Sequence, residues 1–173
     1  MFCLAPGLVD LSIYTLRVLP LPFQNFELCA DFDSLWKGYK REIVGKGWID
    51  IHDEAIGRDE FKKNYDMAKK IAVDGDHVKI LPVHEGKGIK GWKSADYLIN
   101  ANLWELESPN GSETSINNAI KGGKKQAPNI IIQVPKTADY NSVLYFINKR
   151  LKYYSKEVRR LILYHGNIEY NIK

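Results

Sequence analysis

Cysteine is scarce in this chain: Cys3 and Cys29 are the only two among 173 residues. They exclude a disulfide framework and lack the spacing of a zinc site, so they read as buried or free thiols. A long apolar run is missing too. Residues 2–23 are interrupted by Asp10 and Arg17 and punctuated by Pro6, Pro20 and Pro22, so no membrane insertion is expected. A secretory signal needs a positive charge ahead of its apolar core, whereas the first one here, Arg17, lies inside the run. The expectation is a cytoplasmic chain, or one delivered by another route. Nothing matches a G-x-S-x-G elbow or a dinucleotide fingerprint. The run Gly86-Lys87-Gly88-Ile89-Lys90-Gly91 lacks the order of a phosphate-binding P-loop and reads as a mobile loop. His52, His77, His84 and His165 are scattered without metal-ligand spacing, which suits surface or hydrogen-bonded roles.

What the chain does have is enough apolar material for one main core, with 45% hydrophobic residues, and an uneven distribution of charge. Up to residue 116 there are 14 Lys and Arg against 18 Asp and Glu; from 117 onward there are 11 against 3. A basic half beside an acidic half suits a protein that holds a polyanion while concentrating carboxylates elsewhere, although a solvated basic helix would look the same.

Residues 1–57 mix proline, aromatic and short apolar segments without a sustained period and read as an extension of uncertain structure, with a short helix possible at 34–41. Residues 58–173 read as the main domain. A helix with Asp59 as its N-cap runs through Phe61, Tyr65, Ala68 and Ala72 to the stop at Asp74-Gly75. A strand at 77–83 follows, then a glycine and lysine loop at 85–93. Two strands, 96–99 and 103–108, are joined through Asn100-Ala101-Asn102 as a hairpin. Ser112 or Thr114 caps the next helix, which Gly122 and Gly123, each costing roughly 1 kcal/mol, should bend or end. Residues 129–134 read as a central strand buried on both faces, 140–155 as an amphipathic helix with a basic outer face, and 160–164 with 168–172 as a final strand pair.

The chemistry concentrates on the hairpin. Side chains alternate along a strand, so Glu105 and Glu107 share a face, and pairing brings Asp96 near them. Three carboxylates together call for a divalent cation or raised pKa values, unless they are simply solvated on an edge hairpin.

The order of elements, with Asp96 on one strand and Glu105-Leu106-Glu107-Ser108-Pro109 on the next, resembles the PD-(D/E)xK nuclease superfamily. More closely, residues 59–134 resemble the tRNase domain at the C-terminus of CdiA contact-dependent growth inhibition toxins, through Glu60, Gly75, Leu81-Pro82, Asp96, Trp104-Glu105, Pro109, Lys125-Gln126 and Asn129 to Ile132. The resemblance implies an α/β, restriction-endonuclease-like core, a mixed sheet flanked by helices. It further implies a metal-dependent ribonuclease, a tRNA endonuclease in which Asp96 and Glu105 hold Mg²⁺ or another divalent cation and Glu60 and Glu107 complete the catalytic set. Lys124, Lys125, Lys149, Arg150 and Lys152 would hold RNA phosphates, with Tyr153 and Tyr154 available to stack on bases unless they are core edge. Glu60 could equally be a first-turn acid favouring the helix dipole. An immunity protein and delivery into a target-cell cytoplasm would accompany such a toxin.

Glu107 stands where the family pattern has lysine. Three accounts stay open: Lys121, Lys124 or Lys125 reaches the site from the following helix, Glu107 adds a metal ligand, or the domain is a degenerate module that binds nucleic acid or a partner without cutting.

Overall fold

Twelve elements follow one another in the computed structural model, which describes residues 38–82 and 95–173: β1 (Tyr39–Val44), β2 (Gly47–His52), α1 (Asp53–Ile56), α2 (Phe61–Ala72), β3 (His77–Ile80), β4 (Tyr97–Ile99), β5 (Asn102–Glu107), α3 (Glu113–Gly123), β6 (Asn129–Val134), α4 (Tyr140–Tyr154), β7 (Arg160–His165) and β8 (Ile168–Asn171). The strands form one mixed sheet whose spatial order is the order of the chain. Pairing is antiparallel within the hairpins β1–β2, β4–β5 and β7–β8 and between β3 and β4. It is parallel for β2–β3, β5–β6 and β6–β7, where helices make the crossovers.

Strand β6 shows how the layers arise. Ile131 joins a core with Met67, Ala68, Ile71 and Ala72 of α2, whereas Ile130 and Ile132 join a second core with Ile116 and Ile120 of α3 and Val143, Ile147 and Leu151 of α4. Period-two alternation thus sends neighbouring isoleucines to opposite sides, as expected of a strand buried on both faces. Each is fully buried, contributing about 2 kcal/mol of transfer free energy. The α/β class and the mixed sheet flanked by helices are as the sequence predicts.

Several local expectations need correction. Strands β1 and β2 join the sheet ahead of residue 58, so the boundary at 57/58 does not coincide with a sheet edge. Tyr39–Arg41 is strand, not the end of a short helix; residues 34–37 lie outside the described residues, as do the loop at 85–93, His84, Cys3 and Cys29. The third strand stops at Ile80. Helix α2 is capped by Glu60 rather than Asp59, through its backbone: Asn64 N donates to the Glu60 carbonyl at 3.0 Å, and the Glu60 side chain makes no capping bond. Helix α3, capped by Ser112 as expected, runs to Gly123 instead of breaking early. The two glycines serve proximity. A Cβ at Gly122 would lie 3.0 Å from Glu107 Oε1, and one at Gly123 would lie 3.3 Å from Ile130 Cδ1. The helix therefore ends pressed against the strand that carries the acids.

Candidate active site: a carboxylate cavity between α2 and the hairpin

The hairpin is set by a two-residue turn in which Asn100 and Ala101 both take positive φ, 46° and 62°. This is the geometry that matches strand twist, and it fixes the register Tyr97↔Trp104. Tyr97, Trp104 and Leu106 consequently enter the α2 core, while Glu105 points to the other face, beside Ile130 in the adjoining register. Asp96, just before β4, is held at both oxygens. Asn64 Nδ2 donates to Oδ1 at 2.8 Å, and Leu106 N donates to Oδ2 at 3.0 Å. Tyr97 Oη donates to the Asn64 carbonyl at 2.9 Å, tying α2 to β4 next to that contact. Gln126, just past α3, donates from Nε2 to Glu105 Oε1 at 2.8 Å.

Around these groups lies a cavity of about 290 Å³ lined by Arg58, Glu60, Lys63, Asp96, Glu105, Leu106, Glu107 and Gln126. The structure therefore brings all four sequence-predicted acids, Glu60, Asp96, Glu105 and Glu107, to one place. Their electrostatics are unfavourable as they stand. Burial raises the Asp96 carboxyl against the opposing effect of Leu106 N–H and Asn64. Burial, then the charges of Asp96 and Glu107, pushes Glu105 up to about 9. Burial pushes Glu107 up to about 7, with Lys63 pulling the other way.

The donor set suits a hard divalent cation: several carboxylate oxygens face one polar cavity, and Glu105 Oε2 is buried without a hydrogen-bond partner. The side chains are not drawn together as a finished cage. Among the described residues, no three His, Cys, Asp or Glu side chains are grouped closely enough to ligate one ion.

Other expected residues sit elsewhere. Lys124, Lys125, Lys149, Arg150 and Lys152 do not line the cavity. Lys124 pairs with Glu157 at 3.0 Å and lies over the Tyr154 ring, and Lys149 pairs with Glu113 at 2.7 Å. Lys125 and Lys152 are exposed. The two tyrosines differ: Tyr153 is 73% exposed, whereas Tyr154 packs against the α4 core. None of Lys121, Lys124 and Lys125 lines the cavity. His52 caps α1, His77 bonds Asp50 and His165 bonds the Ala138 carbonyl, in line with structural roles.

Lys63, Asn64 and Gln126 were not singled out as site residues by the sequence reading. The available signal was helical spacing: Glu60, Lys63 and Asn64 fall within one turn, and Asn64 shares the buried face with Met67. No helix among the described residues is long and apolar enough to cross a membrane.

No curated protein and no solved structure matches the chain. The family described as contact-dependent growth inhibition CdiA C-terminal domain matches residues 93–169, which hold Asp96, Glu105, Glu107, α3, α4 and the parallel strands β5, β6 and β7 but not β2, β3 or α2. The matched segment, a little under half of the chain, is similar to the CdiA C-terminal domain family.

Proposed function

We propose that the domain is a growth-inhibition toxin module with a PD-(D/E)xK nuclease core, cleaving RNA, and tRNA in particular, with Mg²⁺ or another divalent cation. The observation that carries this reading is the convergence of four carboxylates on one cavity where, among the described residues, the lining cations are Arg58 and Lys63 and one buried oxygen of Glu105 has no hydrogen-bond partner. Asp96 and Glu105 would hold the ion, with Glu107 and Glu60 on the same cavity. Bound there, a divalent cation would polarise a phosphoryl oxygen and lower the pKa of a water.

The protein's own part is placement. Asn64 and the Leu106 amide keep Asp96 from turning away, and Gln126 fixes one oxygen of Glu105 while the other stays buried without a hydrogen bond. Such supporting contacts around a metal site typically matter 10- to 100-fold. The basic outer surface, with Lys125, Lys149, Arg150 and Lys152, would hold the RNA backbone, and exposed Tyr153 offers a stacking surface. A toxin of this kind would act after delivery into a target-cell cytoplasm, and an immunity protein would neutralise it.

The alternative, a binding module that has lost cleavage, draws support from Glu107 at the lysine position and from the unassembled ligand set. Purified chain incubated with a tRNA pool, with Mg²⁺ and with EDTA, decides between them. Cutting that needs the metal and disappears in both Asp96→Ala and Glu105→Ala establishes the nuclease. Salt-sensitive RNA binding without cutting establishes the binding module.

A further inference from the structure

We infer that Lys63, on α2, is the catalytic lysine of this domain, supplying from the helix the positive charge that the strand position occupied by Glu107 does not. This deepens the ribonuclease reading and rests on it. Lys63 lines the same cavity as Glu60, Asp96, Glu105 and Glu107, one helical turn after Glu60 and next to Asn64, whose amide holds Asp96. Among the described residues the other cation lining the cavity is Arg58, which makes a contact from Nη1 to the Leu81 carbonyl at 3.4 Å. The lysines of α3 and its end do not line the cavity, and Lys124 is committed to Glu157. Lys63 also acts electrostatically on the acids: its charge lowers the pKa of Asp96, Glu105 and Glu107 alike. The residue lies outside the segment that the CdiA-type family matches, so that match carries no information about it.

The role follows from chemistry. In phosphodiester hydrolysis the water oxygen bonds to phosphorus and the bond from phosphorus to the leaving oxygen breaks. One hydrogen of the water stays as a hydroxyl on phosphorus and the other ends on the departing oxygen. Negative charge builds on the non-bridging oxygens, and an ammonium in the cavity donates a hydrogen bond to one of them while keeping its own proton. A cavity holding four carboxylates would otherwise repel the phosphate it has to admit.

The test uses the full chain with Lys63→Gln, Lys63→Arg, the double variant Lys63→Gln with Glu107→Lys, and, as a neighbouring control, Lys62→Gln, because Lys62 is exposed and pairs with Asp66. Expected results are a loss of about 10²- to 10³-fold in kcat for Lys63→Gln with KM within a few-fold, a smaller loss for Lys63→Arg, and recovery of at least tenfold in the double variant. Lys62→Gln should match wild type. Calorimetric Mg²⁺ titration gives a readout independent of turnover: removing the ammonium should tighten Mg²⁺ binding severalfold even as cleavage falls, which loss of a merely structural side chain would not do. Wild-type cleavage with Lys63→Gln equally active, or unchanged Mg²⁺ affinity in Lys63→Gln, overturns the assignment and leaves the ribonuclease reading standing. A wild-type chain that cuts no RNA overturns both.

Discussion

Two sets of acids are buried in the same sheet and treated in opposite ways. Asp50 on β2, 3% exposed, receives Arg41 at both oxygens, 2.7 and 2.9 Å, and His77 Nε2 at 2.8 Å. Burial alone would raise its pKa, yet the hydrogen bonds and charges of Arg41 and His77 win and hold it below the usual carboxylate range. Asp96 and Glu105 are 4% and 6% exposed, their side-chain hydrogen bonds come from neutral donors, the charge of Lys63 acts on both without an ion pair among the described residues, and both are raised. Their exposures are similar, but Asp96 and Glu105 sit deeper among surrounding atoms than Asp50 and lack its paired cation, and the two causes act together. A satisfied buried acid is part of the fold; an unsatisfied group of them costs stability and marks a place where charge is to be brought in from outside.

The strongest way to break that comparison is to delete an acid from each set. Asp96→Ala or Glu105→Ala should lower Mg²⁺-dependent tRNA cleavage by on the order of 10³-fold, the several kcal/mol expected when a metal's charge stabilisation is lost. Urea denaturation of the metal-free variants should meanwhile show no large destabilisation. Asp50→Ala should do the reverse, costing about 3 kcal/mol in the same denaturation by stranding Arg41 and His77. Its cleavage per folded molecule should be preserved. Equal effects of the two deletions on stability would remove the distinction.

The same contrast explains what could be read from the sequence. The hairpin acids were legible because strand spacing alone places Glu105 and Glu107 on one face, and Asn100-Ala101 announces the turn. The central strand was legible because five of its six positions, including Ile130, Ile131 and Ile132, are buried. Strands β1 and β2 were not. Most of β1 is exposed at the edge and carries Lys40, Arg41 and Glu42, so it has no apolar period. In β2 the buried position between Ile49 and Ile51 is Asp50, made possible only by partners on β1 and β3. Lys63 and Asn64 were hidden for a related reason: polar residues in an amphipathic helix read as its solvent face until the hairpin is docked against them. Gly122 and Gly123 looked like helix breakers because their purpose, closeness to Glu107 and Ile130, belongs to packing across elements.

Acidity sharpens the comparison next. A carboxyl whose folded pKa is raised binds more protons folded than unfolded, so stability is full below the ordinary carboxylate range and falls as pH rises towards the folded value. For Glu107 and Glu105 that window runs from the usual carboxylate range up to about 7 and about 9 respectively. Asp50 has the opposite sign: its contribution is present above its unfolded pKa and is lost as pH falls through the lower, folded value. With EDTA, the unfolding free energy obtained from urea titrations should therefore decline from about pH 5 to about pH 9 by an amount on the order of 2 kcal/mol. Saturating Mg²⁺ should cancel most of the decline, because a ligand that binds only the folded state stabilises it. A decline that persists unchanged in Mg²⁺ would mean that the cation does not bind among these acids.

The smallest effect isolates one group. Glu107→Gln keeps the size of the side chain beneath α3 and removes a carboxylate that burial pushes up to about 7. Above that pH the folded wild type carries a charge that its surroundings disfavour, so the metal-free variant should be the more stable protein at pH 8. Glu107 is only half-buried and solvent screens part of the penalty, which leaves about 1 kcal/mol. At pH 5 the wild-type carboxyl is largely protonated when folded, and the two proteins should unfold at nearly the same urea concentration. A gain present equally at both pH values would come from amide hydrogen bonding rather than relieved charge, and would take Glu107 out of the unbalanced group. A gain confined to high pH, and reversed when Mg²⁺ is added, would place Glu107 with Asp96 and Glu105 as an acid kept unsatisfied for a cation.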